Sequence, residues 1–471
     1  MNYRIKKVAV LGSGVMGSGI ACHLANVGMD VLMLDIVPAD KLDSKDKKIR
    51  NSIADSALIE AVKSKPSPVY EKINAQKIRT GNFTDNFNDI SDADWIIEVV
   101  VENLEIKRQI FEKVQANRKP GSLITSNTSS IPIKLLAEGR SDEFKKHFCG
   151  THFFNPPRYL RLLEIIPTKE TDPRVTEFFM NFGDVTLGKQ TVLCYDTPAF
   201  IANRIGVMSG TALVNLTIDY KMSIEEVDAI TGPLIGRPKT ATFKLQDLVG
   251  LDTSEKVSEF VMNSVKNDDF FEDLKTKDVP KFMSYLLDNK FYGNKSGKGF
   301  YQKTKERDSK GRSIINVLNL ETLEYDKTVR PKLKIVKEGK SIQNIGKRLS
   351  FLISGNDREN LFLKDYFTAL FDYSAQRAPE ISSAYYQIDD AMRTGYFWDF
   401  GPFEIWDSLG FNVGAELIQN SGSSLPEWIK IMQNEKAISF YKYESGKKKY
   451  FDLETKSYLP VPSTDNYIIL D

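Results

Sequence analysis

The sequence predicts an α/β domain with a doubly wound, mostly parallel sheet, followed by two all-helical domains. Three observations support this fold class. Residues 1 to about 195 alternate apolar runs with helical patterns, residues 199–300 and 346–435 are mostly helical in pattern, and a set of residues in the first helical block recurs in the second. Alternating strands and helices are typical of parallel sheets covered by helices. A chain of 471 residues also exceeds one ordinary core, so two to four domains are expected.

A glycine-rich turn at residues 12–17 is the most informative motif. It follows the apolar run 8–11, opens a helical pattern, and is followed by a second apolar run that ends at Asp35. In a Rossmann domain the first glycine permits the turn, the second lets backbone N–H groups approach a pyrophosphate, and the third allows close helix–strand packing. The predicted dinucleotide contacts are Gly12, Gly14, Val15, Met16, Gly17 and Asp35.

Asp35 indicates which dinucleotide binds. Its carboxylate is placed to hold the two ribose hydroxyls of NAD and would repel the 2′-phosphate of NADP. The alternative is a glycine-rich βα turn in some other doubly wound protein.

Apolar runs predict six strands in this part of the chain, and a charged insertion separates the second strand from the third. The insertion extends from Pro38 to about Gly81 and is expected to form two helices, as a lid or a ligand arm. The predicted strands cover 5–11, 30–35, 94–101, 122–126, 148–154 and 161–166.

The chain changes character at residues 196–198. The segment 303–345 is polar, lysine-rich and without clear periodicity, so we expect a linker, and the end of the chain resembles a hairpin around Ser445-Gly446 and a terminal strand. The predicted domains are 1–195 (dinucleotide-binding), 196–302 (first helical), 303–345 (linker), 346–435 (second helical) and 436–471 (β-rich tail).

The two helical blocks share a pattern that indicates a duplication. We expect the two aspartates that open the pattern to act at helix starts and not in catalysis. The matching sets are Asp228, Phe243, Asp247 and Gly250 in the first block, and Asp389, Phe403, Asp407 and Gly410 in the second.

Composition excludes several classes of protein. The net charge of +1 gives no bulk attraction to nucleic acid or to an anionic membrane. Cys22, Cys149 and Cys194 lack metal-site spacing and are expected to be reduced core thiols. No signal peptide or membrane-length apolar run is evident, so we expect a cytoplasmic protein without a metal site.

His152 is the strongest candidate for catalysis among the three histidines. It ends a predicted strand, where α/β sheets place their ligands, whereas His23 is expected to be structural and His147 exposed. Glu164 is an acid within an apolar strand and therefore needs a partner. A reverse turn at 155–157 would make Glu164 a cross-strand neighbour that orients the imidazole and stabilises its charged form. The alternative for His152 is a satisfied core histidine.

Two more polar residues are expected near the same edge of the sheet, Ser129 and Asn203. Taken alone, Ser129 would be a helix N-cap before Pro132, and Asn203 a polar contact on a helix.

Together these motifs resemble the L-3-hydroxyacyl-CoA dehydrogenase family, from residue 5 to about 300 and more loosely over 346–412. Sister NAD enzymes use a lysine base in place of this histidine–glutamate pair. The matching pieces are 12–17, 102–107, 127–130, 152–156, Glu164, 196–198 with 203–204, and 297–301.

The resemblance implies an NAD-binding Rossmann domain followed by two C-terminal-type helical domains, and the oxidation of (S)-3-hydroxyacyl-CoA. His152 would be the general base and Glu164 its orienting carboxylate, while Ser129 and Asn203 would hold the substrate oxygen. Asn155 is expected to contact the substrate, and Lys63 or Lys65 the phosphates of coenzyme A. Further implied cofactor contacts are Glu102, Lys107, Asn127 and Lys295.

The order of the domains resembles a bifunctional β-oxidation subgroup in which a crotonase domain follows. The chain ends at Asp471 without room for one, so we expect no hydratase activity, and a hydratase or thiolase partner is possible. We expect a monomer if the second helical copy fills the dimer interface of the first, and a homodimer otherwise. The rival functions are a dehydrogenase of another 3-hydroxy acid and a non-catalytic NAD-binding scaffold.

Overall fold

The computed structural model describes residues 3–462, and the chain divides into two compact units. The first unit comprises residues 1–201 and 380–383, and the second comprises residues 202–379 and 384–471. Within the described residues, no helix is long and apolar enough to cross a membrane.

The first unit is built on one eight-stranded sheet. Its strands are β1 (Lys7–Leu11), β2 (Asp30–Asp35), β3 (Ile78–Asn82), β4 (Trp95–Glu98), β5 (Leu123–Ser126), β6 (Phe148–Phe153), β7 (Leu162–Pro167) and β8 (Gln190–Leu193). They lie in the order β3-β2-β1-β4-β5-β6-β7-β8, and every neighbouring pair is parallel except β6 and β7. The six predicted strands are confirmed, whereas the short edge strands β3 and β8 were not predicted.

Helices connect these strands. The charged insertion holds a single turn and one longer helix, so its two helices are confirmed, and it then leads into β3. The helices of the first unit are α1 (Val15–Asn26), α2 (Lys47–Arg50), α3 (Ser52–Lys63), α4 (Leu104–Asn117), α5 (Ile133–Ala137), α6 (Asp142–Lys146) and α7 (Pro173–Asn181).

The apolar strands form the core of this unit. β4 is buried at every position, as expected for a central parallel strand, and Trp95 packs against Phe179 and Phe182. Cys22, Cys149 and Cys194 are buried free thiols, as predicted from their apolar surroundings.

The second unit begins with α8 and is mainly helical. Its first half holds α8 (Ala202–Asp219), α9 (Ile224–Ile230), α10 (Phe243–Val249), α11 (Leu251–Ser264), α12 (Asp269–Lys275) and α13 (Lys281–Asp288), followed by β9 (Tyr301–Arg307), β10 (Ser313–Leu318) and β11 (Tyr325–Lys327). Its second half holds α14 (Lys334–Gly339), α15 (Ile345–Ser354), α16 (Arg358–Ile381, whose last two residues belong to the first unit), α17 (Tyr385–Gly395), α18 (Pro402–Leu409), α19 (Phe411–Asn420) and α20 (Glu427–Asn434), followed by β12 (Tyr441–Glu444), β13 (Lys447–Asp452) and β14 (Ser457–Pro460).

The prediction of a linker at 303–345 is wrong. Most of β9, then β10 and β11 form an antiparallel sheet over residues 303–327 of this segment, and α14 follows. Few side chains of this sheet are buried, Val317 and Leu318 among them, so its polar face conceals the strand pattern. The hairpin around Ser445-Gly446 is confirmed by β12 and β13, while a strand beyond residue 462 would lie outside the described residues.

The two halves repeat the same capping contacts. Asp228 accepts hydrogen bonds from the backbone N–H groups of Thr242 and Phe243, at the start of α10. Asp389 likewise accepts from the N–H groups of Phe403 and Glu404, at the start of α18. The expected helix-start role of both aspartates is therefore confirmed.

A second pair of aspartates ties each helical layer to the strand that follows. Asp247 accepts from the N–H groups of Phe300 and Tyr301, and Asp407 accepts from those of Phe440 and Tyr441. The tyrosine hydroxyls return to the capping aspartates, Tyr301 to Asp228 at 2.9 Å and Tyr441 to Asp389 at 2.6 Å. We propose that the repeat includes its sheet, so neither copy is purely helical.

Burial raises the pKa of the carboxyl groups of these two aspartates, to about 6 for Asp247 and about 7 for Asp407. In the unfolded chain both groups titrate near pH 4. The folded chain therefore holds protons that the unfolded chain releases, and these two groups make folding less favourable as the pH rises from about 4 to 7.

Replacing either carboxylate should destabilise the second unit. We expect Asp247→Ala and Asp407→Ala each to lower the free energy of unfolding by about 2–4 kcal/mol, because each leaves two backbone donors without an acceptor. Urea unfolding followed by circular dichroism measures this. Asp326→Ala, at an exposed position in β11, is the control and should change stability by less than about 0.5 kcal/mol. Equal effects at all three positions would contradict a tying role.

Candidate active site

A buried histidine–carboxylate pair lies where β6 and β7 run antiparallel. His152 is paired with Glu164 in the strand register, and its Nδ1 lies 2.6 Å from Oε2 of Glu164. Glu164 is fully buried and His152 is 5% exposed. The predicted cross-strand pair is therefore present in the structure. Nε2 of His152 has no hydrogen-bond partner among residues 3–462, so it is the nitrogen left for a reacting group.

The surroundings of the pair fix its orientation. The backbone N–H of Ile201 donates to Oε1 of Glu164 at 3.1 Å, which occupies the second oxygen of the carboxylate. The rings of Phe154 and Phe200 pack against the imidazole, with centroids 4.5 and 5.7 Å away. A carboxylate that is buried and hydrogen-bonded on both oxygens holds an imidazole in one orientation.

A buried lysine holds the turn between the two strands. Nζ of Lys189, the residue directly before β8, donates to the carbonyl oxygens of Pro157 and Leu160, the latter at 2.8 Å. Burial lowers the pKa of Lys189 to about 8. The ammonium thus stabilises the reversal that places Glu164 beside His152.

The other two histidines are positioned differently. His23 is buried on α1 with Nε2 3.0 Å from the carbonyl oxygen of Leu187, and burial together with the charge of Lys189 lowers its pKa to about 3. This agrees with the predicted structural role. His147 is partly buried beside Glu143, so the prediction that it is exposed is wrong.

Glu102 organises the loop that carries Ser129. Its Oε1 accepts from the N–H groups of Ser129 and Ser130, at 3.2 and 3.1 Å, and from the hydroxyl of Thr128. Burial alone would raise the pKa of Glu102, but the charge of Lys107 and the hydroxyls of Ser130 and Thr128 outweigh it, so the pKa is lowered. A charged Glu102 therefore fixes this loop.

Lys107 lies in a buried ion cluster. Its ammonium lies 2.6 Å from Glu98 and 3.3 Å from Glu102. The contact of Lys107 with the cofactor stays a prediction. Glu98 also accepts from the Ser126 hydroxyl at 2.5 Å, and its burial raises its pKa although the charge of Lys107 opposes this.

Glu98 and Asp196 are structural carboxylates that sequence reasoning missed. Glu98 carries the signal that revealed Glu164, an acid within an apolar run. Asp196 accepts from the N–H groups of Ile133 and Lys134 at 2.7 and 2.8 Å and so caps α5. The alternative that Ser129 caps this helix is therefore wrong.

The glycine-rich turn has the predicted geometry. Gly12 has a φ of 111°, and a Cβ there would overlap the carbonyl of Val99. A Cβ on Gly17 would overlap the carbonyl of Gly12, which explains why helix and turn pack so closely. Gly14 faces open space directly before α1, so the N-terminal N–H groups of that helix are accessible to an anion.

Asp35 lies beside this turn at the end of β2. Its Oδ2 accepts from the N–H and the hydroxyl of Ser13, both at 2.6 Å. Val15 is 72% exposed and Met16 is partly buried at the start of α1. An open cradle before a helix N-terminus, next to a carboxylate at a strand end, fits the pyrophosphate and ribose of NAD.

The other predicted contacts of the first unit occupy different places. Oδ1 of Asn127 accepts from the N–H of Phe153 at 2.8 Å and so joins the ends of β5 and β6. Asn155 lies in the turn after β6 and is exposed. Lys63 and Lys65 line an open cavity of about 990 Å³ in the insertion, together with Tyr70 and Arg158.

Two predicted residues belong to the second unit. Asn203 lies in the first turn of α8 and lines a cavity of that unit. Lys295 forms an ion pair with Asp252 on α11.

Comparison with known proteins places these features in one family. The description "3-hydroxyacyl-CoA dehydrogenase, NAD binding domain" matches residues 7–197, and "3-hydroxyacyl-CoA dehydrogenase, C-terminal domain" matches residues 200–303. A probable 3-hydroxyacyl-CoA dehydrogenase of Deinococcus radiodurans is 41% identical over 66% of this chain and 86% of its own length.

Two further comparisons extend over most of the chain. A probable 3-hydroxyacyl-CoA dehydrogenase of Bacillus subtilis is 43% identical over 96% of this chain, which spans 57% of that relative's length. The crystal structure of a 3-hydroxybutyryl-CoA dehydrogenase from Escherichia coli K12 shares the fold, with a TM-score of 0.64 at 22% identity over 91% of this chain and 98% of that one. The chain therefore belongs to the 3-hydroxyacyl-CoA dehydrogenase family, with that family's NAD-binding domain followed by its C-terminal domain.

Proposed function

We propose that this chain oxidises (S)-3-hydroxyacyl-CoA to 3-ketoacyl-CoA with NAD, as a step of fatty-acid β-oxidation. The observation that carries the proposal is the buried pair of His152 and Glu164, which leaves Nε2 of the imidazole without a partner among the described residues. A histidine held in this way is suited to remove a proton from a hydroxyl group.

Glu164 assigns the two ring nitrogens their roles. Because its carboxylate accepts the hydrogen bond, Nδ1 carries the proton and Nε2 keeps its lone pair. When Nε2 takes the proton of the 3-hydroxyl, the negative charge of Glu164 stabilises the imidazolium. When bound, the nicotinamide of NAD supplies the hydride acceptor.

Other side chains are proposed to position the substrate and the cofactor. Ser129 and Asn203 would hydrogen-bond to the substrate oxygen, with Asn155 as a further substrate contact. Glu102 fixes the loop of Ser129 through the hydrogen bonds described above. Lys63 and Lys65, beside Tyr70 and Arg158, would meet the phosphates of coenzyme A, and Lys295 remains a proposed cofactor contact.

Loss of NADH absorbance on mixing the purified chain with acetoacetyl-CoA tests the proposal. Rapid oxidation with this substrate, and little with free acetoacetate, would support both the reaction and the need for coenzyme A. Turnover of a free sugar acid with no response to acetoacetyl-CoA would instead favour a dehydrogenase of another 3-hydroxy acid. Binding of NAD without any turnover of 3-hydroxy acids would favour a scaffold.

Removing the imidazole should abolish most of the activity and leave the cofactor in place. We expect His152→Ala to lower kcat by about 10²–10⁴-fold, the range typical of a positioned general base. NADH binding, followed by fluorescence, should remain within about threefold of the unaltered chain because the glycine-rich turn is untouched. His147→Ala is the matched control, and an unchanged rate in His152→Ala would refute the mechanism.

Asp35 should control the choice between NAD and NADP. Asp35→Asn keeps a hydrogen-bond acceptor and removes the charge that repels a 2′-phosphate, so the ratio of kcat/KM for NADH over NADPH should fall by about 10–100-fold. Steady-state kinetics with both cofactors gives this ratio. Asp30→Asn, on the same strand but exposed, serves as the control. Parallel changes in both variants would mean that net charge, and not the position of Asp35, sets the preference.

A further inference from the structure

The second unit contains a cavity of about 520 Å³ whose walls come from both helical copies. α8, α10, α11 and α13 supply most of its lining, and Tyr396 and Trp398 of the second copy complete it. The walls are largely apolar, with Val249 and Met262 among them, and Asn203 lies in the lining. This volume is within the range of small-molecule sites.

We propose that this cavity receives the acyl chain of the substrate, and that the second helical copy sets the chain length through Tyr396 and Trp398. The inference rests on the proposed function, because it takes Asn203 as a residue that holds the substrate oxygen. An alkyl chain is the occupant that suits apolar walls leading away from such a residue, since each buried methylene gains affinity.

The part of the wall from the second copy is firmly held. The guanidinium of Arg237 lies 3.8 Å from the centroid of the Trp398 ring and donates to the hydroxyl of Tyr366. The N–H of Asp399 donates to the carbonyl oxygen of Gly236 at 2.8 Å, which joins the same two loops through their backbones. Within residues 3–462 no carboxylate lies within ion-pair distance of Arg237, so the aromatic rings are its main charge-stabilising neighbours. A wall fixed in this way is preformed.

Two glycines of α8 define the floor of the cavity. A Cβ on Gly206 would overlap the hydroxyl of Tyr396, so Gly206 lets the second copy lie directly on α8. A Cβ on Gly210 would meet nothing within 4 Å, so a side chain there would enter the cavity. Gly210 lies seven residues after Asn203, about 10 Å along the helix axis, which is the length of roughly eight methylene groups. A chain of about ten carbons would therefore reach Gly210, whereas a chain of four would not.

Activity measured against chain length tests this proposal. For the full chain, NADH oxidation with 3-ketoacyl-CoA substrates of 4, 10 and 16 carbons should give a kcat/KM at least tenfold higher for 10 carbons than for 4. Gly210→Phe should lower the ratio of the 10-carbon to the 4-carbon value by at least tenfold, because the ring fills the space of the chain. Gly210→Ala is the matched control and should leave this ratio within about twofold.

A second variant tests the contribution of the second copy. Trp398→Leu replaces a large ring in the wall with a smaller side chain and so leaves more room for the acyl chain. It should raise the ratio of the 16-carbon to the 10-carbon kcat/KM at least threefold. Phe397→Leu, at the exposed neighbouring position, should leave this ratio unchanged. Urea unfolding followed by circular dichroism shows whether the second unit of each variant is folded. Should Trp398→Leu fail to fold, the Gly210 series still decides whether the acyl chain occupies the cavity.

Failure of this inference is distinguishable from failure of the proposed function. If the unaltered chain turns over no 3-ketoacyl-CoA, the proposed function itself is wrong. Two results would overturn the acyl cavity alone. In the first, the unaltered chain turns over the 4-carbon substrate but its kcat/KM is no higher for 10 carbons. In the second, Gly210→Phe lowers kcat/KM equally for all three substrates.

Discussion

The burial of Glu164 is the constraint on which the candidate site depends. A carboxylate with no exposure is tolerated only when its charge is compensated, and leaving such a group unpaired costs several kcal/mol. His152 and the N–H of Ile201 provide the compensation, and both must be brought to it by the chain. This explains why β7 turns back antiparallel to β6 within an otherwise parallel sheet, and why the buried ammonium of Lys189 is placed across that turn.

Other carboxylates fix the loops around the candidate site in a similar way. Glu102 is bound by N–H and hydroxyl groups of the loop of Ser129, and Asp196 caps the helix that follows this loop. Lys107 lies between Glu98 and Glu102, so one cation neutralises part of both charges. Each of these contacts removes freedom from a loop before any ligand arrives, and a site held in this way loses less entropy when it binds.

The sequence could predict the features that depend on short-range geometry. The turn at 12–17 and Asp35 belong to one βαβ unit, and the pairing of His152 with Glu164 requires only one tight reversal between two apolar strands. Contacts between distant segments were not predictable in the same way. The cap on α5 comes from Asp196, 63 residues beyond Ile133, and nothing local to Ser129 reveals it.

Burial decides two further features that composition does not reveal. The side chain of Lys107 pairs with Glu98 on the neighbouring strand, and this partner could not be read from the motif around Lys107. The segment 303–345 is rich in lysine because few side chains of its small sheet are buried on either face, so the alternation of buried and exposed residues that marks a strand is lost. In both cases contacts with other parts of the fold determine the structure, and the local composition does not reveal them.

The two helical copies carry opposite charges at one equivalent position, Lys244 in the first and Glu404 in the second. The helix cap beside that position is nevertheless the same in both copies. Lys244 follows Phe243 in the first copy and lies 3.3 Å from Asp228, a simple pairing of opposite charges. Glu404 follows Phe403 in the second copy, next to Asp389, so two acids share a buried region and the pKa of Asp389 is raised, by burial first and then by Glu404.

The second copy compensates for this with cations from other elements. Lys448 of the terminal sheet is buried against Glu404, and Arg393 of α17 lies 3.2 Å from the same carboxylate. The sheet that follows the helices of this copy is thereby bound to them by charge as well as by the aromatic cluster around Phe440. Because Lys448 of the sheet pairs with Glu404 beside the cap, the sheet helps to stabilise the helices, which supports treating them as one domain.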